Sequence, residues 1–475
     1  MSRNLQELVK IESKYNVAII APAGHGKTEM VADMVAGFSG KQLVLTHTNA
    51  GVDAIKKRLS KRKVDTHKYT ILTIAAFCNR WGYSYHWTSK MDATLSPSNK
   101  EDQKQYYAQL YTGALELFKH TWVGKVLSSS YKGIIVDEYQ DCTLAQHALI
   151  KQLNNYLPVR VLGDPLQGIF GFKDPIVDWN DISYEIININ TYPWRWKNSN
   201  PGLGAYLEEL RSHLLPAIQG QQCTIDIAPI SNVLEVIAPL DFDGYKLLRQ
   251  LQQYSSVLYL TKWENDQLAF CKKMPGIFQQ DEKQDCGILF EYARLFDQSE
   301  NEQLALSILC FINECATRVS SECSSYIKRL KSGSSDFSRI KKYEQLGKLL
   351  KLVIENSSSQ NFIEVFRWFE ENKQFKFYRL ELYQEMLRSI RLAAIKAINI
   401  YDAATLVRNE SSLQKRYTSF KYLSSRTLLS KGLEFDCVIV DMTKELTAKE
   451  FYVAMTRAKE MVYLITDKST LILKP

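Results

Sequence analysis

The segment Ala21–Thr28, Ala-Pro-Ala-Gly-His-Gly-Lys-Thr, constrains this 475-residue chain more than any other stretch. It follows the apolar run Val17–Ile20 and leads into Lys27–Phe38, where Met30, Val31, Met34 and Val35 recur at helical spacing. A strand, a glycine turn and a helix in that order build an anion cradle. Gly24 and Gly26 allow the tight loop, and its backbone N–H groups, aided by the helix dipole, face a phosphate. Ala23, Gly24, His25, Gly26, Lys27 and Thr28, with Glu29 behind them, are the expected nucleotide contacts. Lys27 is placed to reach the β and γ phosphates, and the Thr28 hydroxyl to ligate Mg²⁺. The chain is expected to bind a nucleoside triphosphate.

At about one domain per 150 residues, a chain of this length suggests three or so structural units. No apolar run approaches the roughly 18 residues of a membrane span, and Met1–Lys10 lacks a signal-peptide core. A cytoplasmic protein without membrane contact is expected. Nine cysteines occur without a Cys-x-x-Cys pair, which suits a reducing compartment. Cys286, Cys310, Cys315 and Cys323 share one segment and admit a metal cluster, but buried apolar thiols are the favoured reading. The net charge of +8 points only weakly to a polyanionic partner.

Strands alternate with helices through the first half, the pattern of a parallel sheet covered on both faces. The apolar runs predict strands at Val17–Ile20, Gln42–Leu45, Thr70–Thr73, Gly133–Val136 and Val159–Leu162. Asn79–Tyr131 interrupts them. Trp81, Tyr83, Tyr85 and Trp87 at period two suggest a half-buried strand there, and Tyr106–His120 a helix. Ser256–Leu260 and Cys437–Asp441 predict strands of a second α/β unit, separated by a mainly helical stretch. Within it Phe362, Val365, Phe366 and Phe369 follow the helical period, and Lys328–Lys351 carries eight basic residues against two acids.

The apolar strand Gly133–Val136 ends in Asp137-Glu138, where Asp137 would hold Mg²⁺ and Glu138 would orient the attacking water. One helix later, Gly163-Asp164-Pro-Leu-Gln167 offers a side-chain amide for the γ-phosphate. Phe170, Phe172 and Lys173 follow, two aromatics and a cation suited to stacking on bases.

The order of these motifs resembles superfamily 1 DNA helicases of the UvrD/PcrA/Rep group, from Gln6 to about Leu464. Gln6, 21 residues before Lys27, is similar to the family's adenine-reading glutamine. Thr48 and Asn49 in Thr46-His-Thr-Asn, and Thr73 opening Thr73–Phe77, resemble segments that touch single-stranded DNA. Trp194-Arg195 stands where the family has Tyr-Arg, an aromatic over adenine and a cation on the γ-phosphate. Lys431-Gly432-Leu-Glu434-Phe435 resembles the motif whose glutamate approaches the ribose, and Tyr452–Ala458 the motif whose arginine, Arg457 here, acts as a finger. Pro22 and His25 depart from the family's Gly and Ser, and Ala75 and Leu428 from its histidines.

The resemblance implies a P-loop NTPase fold: two RecA-like parallel-sheet α/β domains, the first with a small insertion and the second with a mainly helical one. The expected boundaries are 1–78 with 132–180 and 181–270 with 411–475 for the two domains, and 79–131 and 271–410 for the insertions. It implies ATP and Mg²⁺ as cofactors and single-stranded or 3′-tailed DNA as partner, with 3′-to-5′ translocation and unwinding. A DNA-stimulated ATPase that senses ends and signals to a partner is the alternative. A P-loop kinase leaves the motifs at Lys431 and Tyr452 unexplained. Both insertions are short and only 18 residues follow Arg457, so no fused nuclease is expected. The compact layout is similar to the helicase subunit of Gabija anti-phage systems, which acts with a separate OLD-type nuclease.

Overall fold

The computed structural model describes residues 5–92, 95, 103–170, 174–187, 192–281, 287–413 and 420–475. By its contacts the chain divides into two units: 1–236 with 445–462 and 467–475, and 237–444 with 463–466.

In the first unit, β1 (Asn16–Ile20), β2 (Gln42–Thr46), β3 (Tyr69–Thr73), β4 (Gly133–Val136), β5 (Val159–Gly163) and β6 (Glu185–Ile186) form a parallel sheet. Their order is β3-β2-β4-β5-β1-β6. The five predicted strands are present, each within a residue of its expected ends. β2, β4 and β5 are buried at every position, because helices cover both faces and each side chain, whichever way it points, meets apolar neighbours. Val17, Ile19, Val44, Ile135 and Leu162 pack on one face with Met30, Val31 and Met34 of the helix Lys27–Gly37. Ala18, Leu43, Leu45, Ile134 and Val161 pack on the other with Phe77, Leu117 and Leu149. This alternation is the period of two expected of strands.

The register pairs Ile20 with Gly163, Val136 with Val161, and Thr46 with Thr73. The loops after β1, β2, β3, β4 and β5 therefore leave from one carboxyl edge, the place where parallel α/β sheets bind ligands.

The insertion corrects one expectation. Trp81 and Tyr83 lie in a helix, Ile74–Ser84, and Trp87 in a short helix, His86–Ser89. Thr73 caps the first helix by accepting from Ala76 N at 3.0 Å. Phe77, Trp81 and Tyr85 then stack four residues apart, with ring centroids at 6.4 and 5.7 Å. A spacing of four satisfies both a strand and a helix, and the cap with Phe118 against Trp81 decides for the helix. The helix predicted over Tyr106–His120 is observed as Gln103–Phe118.

β7 (Cys223–Asp226) pairs antiparallel with β14 (Thr470–Leu473) in the first unit. The chain passes between units along β8 (Leu234–Ile237) and β13 (Ala458–Ile465). In the second unit β9 (Val257–Thr261) lies between β11 (Tyr422–Arg426) and β12 (Phe435–Asp441), and β10 (Gln279–Gln280) extends β11. All three pairings are parallel. The helices Gly287–Gln298, Asn301–Cys315, Ser359–Glu371, Leu380–Lys396 and Ile400–Leu413 follow and share one apolar core. Phe362, Val365, Phe366 and Phe369 all point into it. Cys315 and Cys323 are buried in the same core, where burial pushes the Cys323 thiol up to about 12; Cys286 lies outside the described residues.

Candidate active site

The loop after β1 continues the sheet register by one bond, Ala21 N to Gly163 O at 3.0 Å, and then turns. Gly24 and Gly26 have φ of +72° and +79°, left-handed values that favour glycine. Gly24 is required twice over, since a Cβ there would stand 2.6 Å from the Trp196 ring. Gly26 opens the helix Lys27–Gly37. Lys27 is buried and its Nζ donates to Ala21 O at 3.2 Å, so a cation rests inside the loop. Thr28 is partly exposed beside it. Glu29 is turned outward into a pair with Arg58 at 2.9 Å and Arg62 at 2.6 Å. Gln6 is exposed on the helix Leu5–Glu12, whose Leu8 and Ile11 pack on the same core as the loop's helix.

β4 delivers the two carboxylates. Asp137 is buried, and burial first, then the charge of Glu138, push its carboxyl up to about 7 against the pull of Lys27. Glu138 takes a left-handed backbone, φ +56°, which turns it off the strand. Its Oε2 accepts from Gln140 Nε2 at 2.5 Å, and Gln140 Oε1 accepts from Asp164 N at 3.0 Å. Asp164 is fully buried. It accepts from Gln167 Nε2 at 3.2 Å and pairs with Arg211 at 3.0 Å, on the helix Pro201–Leu214. The catalytic candidates Glu138 and Gln167 are thus joined through Gln140 and Asp164.

The arginine-bearing motifs belong to this same unit. Arg195 N donates to Gly24 O at 3.1 Å, and its guanidinium donates to the carbonyl of Thr456. Trp194, half-exposed, lies against Gly26, where an added Cβ would stand 3.3 Å from its ring. The Tyr452 hydroxyl accepts from Ala23 N at 3.3 Å, so the helix Ala448–Met455 touches the phosphate loop directly. Arg457, buried just beyond that helix, donates to Val453 O at 2.9 Å and Thr456 Oγ1 at 3.2 Å. Trp196, Arg211 and Gln140 escaped sequence reasoning, because their partners lie far away in the chain.

The candidate DNA contacts open at the same carboxyl edge. Thr48 and Asn49 follow β2, and Thr73 ends β3; Thr48 caps its helix by accepting from Gly51 N at 3.0 Å. Phe170 is half-exposed after β5; Phe172 and Lys173 lie outside the described residues. Gly432, with φ +85°, and exposed Glu434 precede β12 in the second unit.

Among the described residues no three His, Cys, Asp or Glu side chains converge to hold an ion unaided. Thr28 and Asp137 supply hard oxygen donors, a set that fits a divalent cation arriving with nucleotide phosphates. Phosphate loop, carboxylate pair and parallel sheets together define a P-loop NTPase with two RecA-like domains. Residues 1–114 and 84–178 match the UvrD/REP helicase N-terminal domain, and residues 429–465 match the UvrD-like helicase C-terminal domain. Over these two segments the chain is similar to UvrD-type helicases. No curated protein matches it. Two solved structures of Arterivirus nonstructural protein 10, a helicase, one of them in complex with DNA, each match at 10% identity and a TM-score of 0.36. The matches cover 97% and 98% of this chain, which spans only 63% of the length of either viral chain.

Proposed function

We propose that the chain hydrolyses ATP with Mg²⁺ to move 3′ to 5′ along single-stranded DNA and unwind duplex ahead of it. The observation that carries this reading is the meeting of the phosphate loop with both arginine motifs, through Gly24–Arg195 and Ala23–Tyr452. ATP binding would draw Lys27 from the Ala21 carbonyl to the phosphates. Glu138, steadied by Gln140, would orient the attacking water, and Gln167 would sense the γ-phosphate. Arg195 and Arg457 would neutralise charge on the transferring group, a contribution worth about 10³–10⁵ in rate where measured. Thr28 and Asp137 would hold the divalent cation, whose charge would further screen the phosphates. Trp194 would lie over the adenine and Gln6 would read its edge. Thr48, Asn49, Thr73 and Phe170 would hold the strand, leaving 79–131 and 271–410 as insertions into the two RecA-like domains.

Ala75, where the resembling family has a histidine, favours a second reading among the strand contacts: an ATPase that senses DNA ends for a separate nuclease, in defence or repair. Strand displacement on a 3′-tailed duplex separates the two. Unwinding supports the motor; strong DNA-stimulated turnover without unwinding supports the sensor. Turnover indifferent to DNA overturns both.

A further inference from the structure

The phosphate loop carries one side chain with no part in the chemistry above. His25 is buried, and both of its ring nitrogens have partners. Nδ1 is 2.8 Å from Ala23 O, and Nε2 is 3.1 Å from Glu208 Oε1 on the helix Pro201–Leu214. A carbonyl oxygen and a carboxylate oxygen both accept, so this geometry suits an imidazole that donates from both nitrogens. Only the doubly protonated ring does this. A neutral ring would face one of the two oxygens with a lone pair.

The surroundings make the contact specific. Pro22, Ala23, Trp196, Leu207, Arg211 and Tyr452 close around the ring behind the loop and leave no room for a water molecule. The charged or titratable groups facing the ring are Glu208 and Arg211 from the helix and Tyr452 from Ala448–Met455, with Lys27 two residues along the loop. Burial pushes the Tyr452 hydroxyl far up, so it stays neutral, and Arg211 is committed to Asp164. Glu208, half-exposed, is the partner that responds to the ring.

We propose that His25 and Glu208 are positioning residues for the nucleotide: a protonated His25 clamps the phosphate loop to the helix Pro201–Leu214 and sets the loop for phosphate. In a trans peptide the C=O and N–H are antiparallel, so fixing Ala23 O also fixes the N–H of Gly24, one of the loop's donors. The clamp also ties the loop to the helix that holds Asp164 through Arg211. The proposal rests on the nucleotide reading above.

The test is the affinity of the full chain for a fluorescent ADP analogue from pH 6 to pH 8.5, compared among wild type, Glu208→Gln, Glu208→Ala and His25→Ala. Titration of Asp137 is common to all four and drops out of the comparison. Wild-type affinity is expected to fall relative to His25→Ala as pH rises, by up to about fivefold, what a half-exposed charge pair is worth. Glu208→Ala binds weakly throughout and lacks that component. Glu208→Gln is the telling variant, because an amide can donate to a bare Nε2: it should keep the acid-pH affinity across the range. Glu208 is half-exposed on a helix, so its variants fold even if His25→Ala does not. Four identical profiles overturn the clamp and leave the nucleotide reading standing. Wild type that binds no nucleotide at any pH overturns both.

Discussion

The carboxyl edge of the first sheet and the helical core of the second unit bury charge in opposite ways. The helical core encloses the ion pair of Arg408 with Glu385, both buried and joined at 2.6 and 2.8 Å. Arg388 also reaches Glu385, at 4.0 Å, and many apolar side chains of the helices pack in that core. At the sheet edge Lys27, Asp137, Gln140, Asp164 and Gln167 are all buried. There Lys27 rests on a backbone carbonyl and Asp137 is crowded by Glu138. One region spends its polar groups on holding itself together, while the other keeps them strained and open to a ligand. The candidate site lies where burial is least comfortable.

Substitutions can break that contrast, beginning with the largest effect. Lys27→Ala or Glu138→Gln should lower ATP turnover by about 10³ or more, the scale of losing charge neutralisation at a phosphoryl group. Steady-state hydrolysis with single-stranded DNA checks this, and near-normal rates would remove either residue from its role. Arg408→Met in the helical core should do the reverse. It strips buried Glu385 of its nearest cation, with Arg388 standing off at 4.0 Å, at a cost of up to about 3–5 kcal/mol in stability, seen as a lower denaturation midpoint, while turnover per folded molecule holds.

Asp137→Asn sharpens the comparison, because it should impair hydrolysis and stabilise the ligand-free fold at once. The folded carboxyl is raised to about 7, well above an ordinary aspartate. Its ionised form therefore costs stability that is lost as pH rises from about 4 through 7. The variant should melt above wild type at pH 8, and the gap should narrow as pH falls and close only near pH 4. A variant that melts lower at pH 8 would show that the site is not strained. The smallest effect concerns the strand: Phe170→Ala should weaken single-stranded DNA binding by about 1 kcal/mol if it stacks, and unchanged affinity in a titration would return it to packing.

Much of this was open to reading in the sequence, for a physical reason. Parallel strands buried on both faces are written as continuous apolar runs, so β1, β2, β4 and β5 stand out. Residues that grip phosphate must sit at fixed spacing along one loop, so Gly24, Gly26, Lys27 and Thr28 did too. The helix at Trp81–Tyr85 was hidden because aromatic residues four apart suit either period. Gln140 to Asp164, Arg211 to Asp164 and His25 to Glu208 join positions 24, 47 and 183 residues apart. No local pattern announces such pairs; only folding the chain brings them together.

A phosphate loop met by both arginine-bearing segments, through the Arg195 backbone and the Tyr452 hydroxyl, is the feature on which the motor reading stands. Pre-steady-state turnover of Arg457→Ala with saturating ATP and single-stranded DNA tests it most directly. The chemical step should slow by about 10³ or more, with nucleotide affinity nearly unchanged. A burst within a factor of about two of wild type would show that this arginine takes no part in splitting ATP, a result the finger role does not survive.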